Sequence, residues 1–208
     1  YIGVDIKGAR LWKGAKYATE TGLPNVAFLR TRIEFIEAFF APGEISEIWL
    51  TFSDPQMKSE NSRLTSPMFL ERYRRFLKPG GIIHLKTDST FLYEYTKAVC
   101  EANSLHVLAS TSDLYDVSDG NGDATSGRES LYSSEFSSVC GKAAVDALFE
   151  VQTFYEQNFL SQGFKINYIA FTIDHEGPFV SPDFDAAYWR EAEAPRFLPG
   201  SMQASRKH

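Results

Sequence analysis

Apolar and polar positions along the first half of the chain predict strands and helices in turn. The predicted strands are short apolar runs at residues 1–5, 25–29, 45–52, 82–86 and 105–108. Between them, apolar residues recur at helical spacing in residues 7–21, 33–40, 69–77 and 91–100. Gly22 and the run Pro79-Gly80-Gly81 are typical helix stops. The run at residues 45–52 is almost continuously apolar, which predicts a strand covered on both faces. This alternation indicates a doubly wound, mostly parallel sheet with helices on both sides.

The second half of the chain departs from this rhythm. Residues 110–140 are rich in Ser, Gly and Asp, which predicts an exposed or partly disordered insertion. A helix from about Ala143 to Gln162 and an apolar strand at residues 166–173 follow. We therefore expect a main domain at residues 1–175 with an exposed insertion at about 110–140. The proline-containing residues 176–208 predict a C-terminal tail that wraps the surface or is loose.

Composition and charge narrow the classes of protein. The 208 residues are 43% apolar, enough for one core. No apolar run is long enough to span a membrane, and no secretory signal opens the chain. Two cysteines, Cys100 and Cys140, are too few for a disulfide framework, which favours a reducing cytoplasm. The net charge of -6 weighs against nucleic-acid binding, so any basic contact surface must be local.

Two carboxylates follow predicted strands, and ligands of doubly wound sheets bind at the carboxyl ends of strands. Asp5 ends the first strand, where it could accept hydrogen bonds from ribose hydroxyls or simply complement a helix dipole. Asp54 lies in a Ser53-Asp54-Pro55 turn after the third strand. An aspartate that only initiates the turn is the simpler alternative there.

The motifs around these carboxylates resemble those of bacterial tRNA (guanine-N7)-methyltransferases. The family signature Phe-Pro/Ser-Asp-Pro-Trp-x-Lys matches Phe52-Ser53-Asp54-Pro55 and Lys58, followed by Arg63 of a basic loop. The resemblance extends to four other segments, at residues 1–7, 25–26, 85–88 (Leu-Lys-Thr-Asp) and 153–156 (Thr-Phe-Tyr-Glu). Several motifs in one order are far more specific than any single one.

The resemblance implies a class I SAM-dependent methyltransferase fold, a Rossmann-like sheet of seven mostly parallel strands. It implies that Asp5 binds the ribose of S-adenosyl-L-methionine (SAM), that Arg32 and Ile33 lie near its adenine, and that Asp54 is catalytic beside both cofactor and guanine. It also implies contacts with tRNA from six further residues, which are Lys58, Asp88, Thr153, Phe154, Tyr155 and Glu156. The alternative for Thr153 and Glu156 is a helix capping box, which is compatible with substrate binding.

The chain departs from the family pattern at three points. The family's N-terminal strand and glycine-rich SAM loop have no counterpart before Tyr1. We expect that this segment is missing from this chain, rather than that the protein binds the cofactor poorly. Arg32-Ile33 replaces an acidic residue followed by Ala, which puts the adenine contact in question. Gln56 replaces the motif's Trp, and the basic cluster is thinned to Lys58 and Arg63.

The implied reaction needs few catalytic groups. Guanine N7 carries a lone pair and no proton, so positioning and electrostatics suffice for transfer of a methyl group from a sulfonium. The expected partner is tRNA, in the cytoplasm, with no membrane and with a monomer or homodimer equally compatible. The alternatives are a SAM-dependent methyltransferase with another substrate and a non-enzymatic tRNA-binding module. A nicotinamide enzyme could also present Asp5, but it would need other substrate motifs.

Overall fold

The computed structural model describes residues 1–116 and 126–194. The strands in this part of the chain are β1 (Ile2–Asp5), β2 (Ala27–Arg30), β3 (Ile45–Thr51), β4 (Leu77–Thr87), β5 (Val107–Thr111) and β6 (Asn167–Thr172). The α-helices are α1 (Gly8–Thr21), α2 (Pro67–Arg74), α3 (Thr90–Ala102), α4 (Ser126–Tyr132), α5 (Glu135–Cys140), α6 (Lys142–Glu150), α7 (Phe154–Ser161) and α8 (Ala186–Glu193). Short 3-10 helices lie at Ile33–Ala38 and Glu60–Ser62.

The described strands form two sheets. β1 pairs with β2 in parallel, and the second sheet has the order β3-β4-β6-β5. β3 is parallel to β4, whereas β6 is antiparallel to both of its neighbours, β4 and β5. The predicted alternation of strands and helices is confirmed through β5, and the larger sheet is mixed because β6 runs against its two neighbours, whereas β1-β2 and β3-β4 pair in parallel. An apolar run has the same appearance in either direction, so the sequence pattern did not reveal the direction of β6.

Two predicted boundaries are wrong around residue 77. α2 ends at Arg74, and Leu77 already begins β4, pairing with Ile45. The register then shifts, so that Glu47 pairs with Ile82, and Gly80 adopts a φ of 70° within the shift. The expected helix stop is therefore an irregularity inside a long strand. A left-handed glycine serves either purpose.

β3 is less covered than its apolar pattern predicts. Leu50 is buried, but Trp49 is 41% exposed and Glu47 is also exposed. On β1, Ile2 and Val4 are likewise exposed. Within the described residues, β1 and β3 are each an end strand of their sheet, so both present an edge that no strand occupies.

Buried side chains cover both faces of the larger sheet. One cluster packs α2 and α3 against the sheet and includes Leu70, Ile83 and Leu92. The other packs α4, α5 and α6 against β5 and β6, with Phe136 and Val145 fully buried. The predicted placement of helices on both faces is therefore confirmed for this sheet.

The expectation of an exposed insertion at residues 110–140 is wrong for its described parts. Leu114, Leu131 and Phe136 are buried and belong to the second cluster. Single apolar residues spaced along short helices are enough to dock them, although the segment's overall composition is polar. Residues 117–125 lie outside the described residues.

The helix predicted from Ala143 to Gln162 is two helices, because the chain is extended between α6 and α7. Thr153 caps α7, and its side chain accepts a hydrogen bond from the Glu156 backbone N–H at 3.1 Å. The Glu156 carboxylate accepts one from the Thr153 backbone N–H at 3.3 Å. The predicted capping box is confirmed.

The described part of the C-terminal tail wraps the surface, as one of the two expectations had it. Phe184 packs edge-on against Phe91 and Tyr95, both with ring centroids 5.4 Å away. Glu193 is buried and accepts hydrogen bonds from the Ser89 hydroxyl and the Phe91 backbone N–H, both at 3.0 Å. Residues 195–208 lie outside the described residues, and the division into domain and tail stays a prediction. In residues 1–116 and 126–194, no helix has the length and apolar character needed to cross a membrane.

Candidate active site

The predicted site residues lie at or just after the carboxyl ends of β1, β2, β3 and β4, and at the start of α7. Asp5 is the last residue of β1, Asp54 follows β3, and Asp88 directly follows β4. Phe52, after β3, stacks on Phe159 of α7 with ring centroids 6.0 Å apart. The structure therefore brings α7, from a distant part of the chain, to the sheet edge where ligands of such folds bind.

Asp5 is joined to α7 through one arginine that the sequence analysis did not single out. Its Oδ1 accepts a hydrogen bond from the Lys7 backbone N–H at 2.9 Å, and its Oδ2 lies 3.4 Å from Arg10 Nη1. The same guanidinium donates to the Tyr155 hydroxyl at 2.9 Å. A carboxylate offers about four acceptor positions, so Asp5 retains capacity for hydroxyl donors.

The loop after β3 has an unusual backbone around Asp54. Phe52 and Gln56 have φ angles of 52° and 46°, a left-handed conformation that non-glycine residues rarely adopt. Asp54 is exposed, and its Oδ1 accepts a hydrogen bond from the Gln56 backbone N–H at 2.9 Å. This turn is the one that the Ser-Asp-Pro pattern predicts. Residues held in such conformations often occur at functional sites, where the surrounding structure stabilises them.

Two arginines hold this loop in place, the buried Arg63 and the exposed Arg190. Arg63 is buried, with its guanidinium carbon 4.3 Å from the Tyr95 ring centroid and 4.8 Å from that of Phe91. It donates to the backbone carbonyls of Gln56 and Met57, and Arg190 donates to the Met57 carbonyl at 3.0 Å. Of the two basic residues of the motif, only the exposed Lys58 is therefore placed to meet a phosphate.

Asp88 is buried where β4 meets α3. The next residue, Ser89, caps α3, because its hydroxyl accepts a hydrogen bond from the Leu92 backbone N–H at 3.1 Å. Only 8% of Asp88 is exposed, so a bound tRNA could reach little of it in this conformation.

Glu156 is fully buried in a polar cluster, which we call the Glu156 cluster and define as Lys86, Tyr115, Gln152 and Glu156. Lys86 Nζ lies 2.6 Å from Glu156 Oε1, and the Tyr115 hydroxyl donates to the same oxygen at 2.7 Å. Lys86 also donates to the Leu148 carbonyl at 2.6 Å. Gln152 completes the cluster by donating to the Tyr115 hydroxyl at 3.2 Å.

Burial changes the acidities within the Glu156 cluster. Removal from water lowers the pKa of Lys86, and the Glu156 carboxylate opposes this shift. Burial and the same carboxylate raise the pKa of Tyr115, which keeps its hydroxyl protonated as a donor. The cluster thus holds a buried ion pair, a costly arrangement unless its hydrogen bonds are satisfied.

The other predicted site residues are more accessible. Phe154 is 74% exposed in the first turn of α7, and Tyr155 is half-buried beside Arg10. Arg32 is exposed and pairs with Glu34 at 3.2 Å, and this hydrogen bond holds the pKa of Glu34 below its usual value. Ile33 is half-buried against the first core cluster. No group of His, Cys, Asp or Glu in residues 1–116 and 126–194 is arranged to hold a metal ion.

Comparisons with known proteins show the family of this chain. A family model described as "Putative methyltransferase" matches residues 1–129, more than half of the chain. The chain belongs to this methyltransferase family. The matched residues include β1 to β5 and the loop of Asp54, so they cover the sheet edge on which the candidate site is built.

Two relatives of this methyltransferase carry a more specific name. A tRNA (guanine-N(7)-)-methyltransferase of Bacteroides thetaiotaomicron is 50% identical over 185 residues, which is 89% of this chain and 64% of the relative. One of Christiangramia forsetii is 45% identical over 175 residues, 83% of this chain and 67% of the relative. The chain thus spans about two thirds of the length of these relatives.

A solved structure with a partial likeness is geranyl diphosphate C-methyltransferase from Streptomyces coelicolor, in complex with S-adenosyl-L-homocysteine. It is 14% identical, with a TM-score of 0.41 over 82% of this methyltransferase and 61% of that chain. A score of this size is too low to define the fold of this chain.

Sequence reasoning missed three residues that the structure places at this edge, namely Arg10, Lys86 and Tyr115. The sequence could have indicated Lys86, because a lysine in an otherwise apolar buried strand needs a buried partner. Arg10 lies in the first turn of α1, close enough in sequence to reach Asp5. Tyr115 lies in the segment predicted to be exposed, so nothing pointed to it.

Proposed function

We propose that the full-length protein is a SAM-dependent methyltransferase that methylates N7 of a guanosine in the tRNA variable loop. The observation that carries this proposal is the attachment of the motif at residues 153–156 to the ends of β1 and β4. Arg10 links Tyr155 to Asp5, and Lys86 links Glu156 to β4. The names of the relatives at 45–50% identity support the same reaction.

We also propose that the two sheets are parts of one class I methyltransferase sheet of seven strands, with one strand between β1 and β3. The exposed apolar residues on β1 and β3 and their unoccupied edges support this arrangement. The family's first strand and glycine-rich loop would fill this place. The antiparallel β6 between β4 and β5 agrees with it as well.

The residues present fit SAM as the cofactor. Asp5 keeps free acceptor positions at the end of β1, where the two ribose hydroxyls would donate. Ile33 offers an apolar surface for the adenine, while the Arg32 side chain pairs with Glu34. When bound, SAM supplies a methyl group activated by a positively charged sulfur.

The chain's residues then orient the guanine and stabilise charge. N7 needs no base to become a nucleophile, so proton transfer is not required. The exposed carboxylate of Asp54 can accept hydrogen bonds from guanine N1–H and the exocyclic amine, which fixes the ring in its plane. Its negative charge also stabilises the positive charge that develops on the purine. Lys58, exposed on the same loop, can contact a phosphate.

The test is methylation of unmodified tRNA by the full-length protein, followed by mass spectrometry of the nucleosides. We expect N7-methylguanosine from a normal transcript and none when the variable-loop guanosine is replaced by adenosine. A methyl group on a different nucleoside would instead indicate another SAM-dependent reaction. Binding of tRNA without any transfer would favour the non-enzymatic alternative.

A tRNA substrate also implies a cytoplasmic protein.

A further inference from the structure

We propose that Lys86 is a positioning residue that holds the first turn of α7 through Glu156, and that Glu156 acts on the substrate through this turn rather than by touching the guanine. The inference deepens the proposed function and rests on it. It assigns Glu156, which the family resemblance places at the substrate, to the support of its neighbours Phe154 and Tyr155.

The first argument is that both oxygens of Glu156 are engaged within the protein. Oε1 accepts from Lys86 Nζ at 2.6 Å and from the Tyr115 hydroxyl at 2.7 Å. Oε2 accepts from the Thr153 backbone N–H at 3.3 Å. None of the Glu156 surface is exposed. A guanine could reach this carboxylate only if these hydrogen bonds were broken and the charge of Lys86 were left unpaired, which is costly in a buried site.

The second argument is the position of Lys86 between elements. It lies on β4, and its ammonium contacts the carbonyl of Leu148 in α6 as well as the carboxylate in α7. It therefore spans the break at residues 151–153, where the two helices separate. Gln152, which lies in this break, donates a hydrogen bond to the Tyr115 hydroxyl. Buried ion pairs contribute little net stability but can select one arrangement of the chain, which is the role we assign here.

The third argument is what the first turn of α7 presents. Phe154 is exposed and Tyr155 is half-buried with its hydroxyl bonded to Arg10. In a helix, the direction of consecutive side chains is set by the backbone of that turn. A shift of the turn would therefore displace both aromatic side chains.

The experiment uses the full-length protein with Glu156→Gln, Lys86→Met and the double variant, and Glu150→Gln as the matched control. Glu150 ends α6 on the surface, with 69% of its side chain exposed. We expect the KM for tRNA to rise about tenfold in each cluster variant, as for a loss of roughly 1.4 kcal/mol, and the KM for SAM to stay unchanged. Because the residues act as one unit, the double variant should lose no more than the worse single one.

A second substrate separates positioning from direct contact. Inosine at the target position keeps N7 but lacks the exocyclic amine. If Glu156 only positions α7, Glu156→Gln leaves the preference for guanosine over inosine unchanged, whereas Asp54→Asn lowers it. A drop in this preference for Glu156→Gln, or losses that multiply in the double variant, would overturn the proposal.

Amide hydrogen exchange provides a readout that does not depend on activity. The amides in the first turn of α7 should exchange faster in Glu156→Gln and Lys86→Met, but not in Asp54→Asn or Glu150→Gln. Unchanged exchange would refute the positioning role even if the enzyme proved to methylate another substrate. Absence of methyl transfer by the wild type, with the expected exchange pattern, would refute only the proposed function.

Discussion

The loop of Asp54 and the Glu156 cluster both carry a carboxylate from a motif of the same family, yet their surroundings are opposite. Asp54 is exposed, and in the described part of the chain its carboxylate has no ion-pair partner. Glu156 is fully buried and bonded to Lys86 and Tyr115. Under the proposed roles, one motif supplies a carboxylate for chemistry and the other supplies one that supports the fold, and their burial and hydrogen bonding distinguish the two.

This difference predicts that the two regions fail in different ways when they are altered. Substitutions in the Glu156 cluster should lower the free energy of unfolding, because they leave buried polar groups without partners. Substitutions in the exposed loop should lower the rate or the affinity and leave folding nearly unchanged.

The largest effect is expected for Lys86→Met. Removing one partner of a buried ion pair leaves an uncompensated charge and costs about 3–5 kcal/mol in the free energy of unfolding. Adding Glu156→Gln removes the uncompensated charge and should restore most of the lost free energy of unfolding. A glutamine at position 156 can still complete the capping box with Thr153. Urea denaturation of the three proteins measures this. A single variant as stable as the wild type would mean that the pair is not intact in solution.

Asp54→Asn is the next largest change, and it tests the exposed side of the comparison. The amide keeps the size but loses the charge, and it presents a donor to the donors of guanine. We expect the activation free energy of methyl transfer to rise by about 2.7–4 kcal/mol, so that the rate falls roughly 100- to 1000-fold. The melting temperature should barely change, and Asp183→Asn on the surface is the control. A large drop in melting temperature would indicate that Asp54 serves the turn alone.

Lys58→Ala should weaken tRNA binding moderately. Loss of one phosphate contact lowers the slope of log K against log salt concentration by about one unit. Lys78 is an exposed lysine near the amino end of β4, away from the candidate site at its carboxyl end. Lys78→Ala should therefore leave the slope unchanged. Binding titrations at several salt concentrations distinguish the two, and equal slopes for all three proteins would exclude a phosphate at Lys58.

The smallest effect is expected for Arg10→Met. Arg10 is half-exposed where it joins Asp5 to Tyr155, and exposed pairs are worth about 0–1 kcal/mol. We expect changes of up to about fivefold in the KM values for SAM and tRNA, with an unchanged melting temperature. Lys13→Met on the same helix should change neither KM. A loss comparable to that of Asp54→Asn would place Arg10 in direct contact with a substrate.

The sequence predicted the elements of this protein better than it predicted their surroundings. The strands, α1 with its stop at Gly22 and the capping box of α7 are local features, and the structure confirms them. The direction of β6 and the burial of Leu131 and Phe136 depend on distant partners, which a local pattern does not contain. For the same reason, the motif at residues 153–156 could be recognised, but the partner of Glu156 on β4 could not be deduced.

The position of β6 between β4 and β5 also has a consequence during synthesis on the ribosome. About 55 residues separate the end of β5 from the start of β6. At roughly 5–20 residues per second, β5 waits about 3–11 seconds, and β4 longer, before synthesis reaches the strand that joins them. During this interval β4, with Ile82, Ile83 and Leu85, has one edge open to other chains. Faster translation, or a chaperone that shields β4, should therefore affect the yield of folded protein more than its final stability.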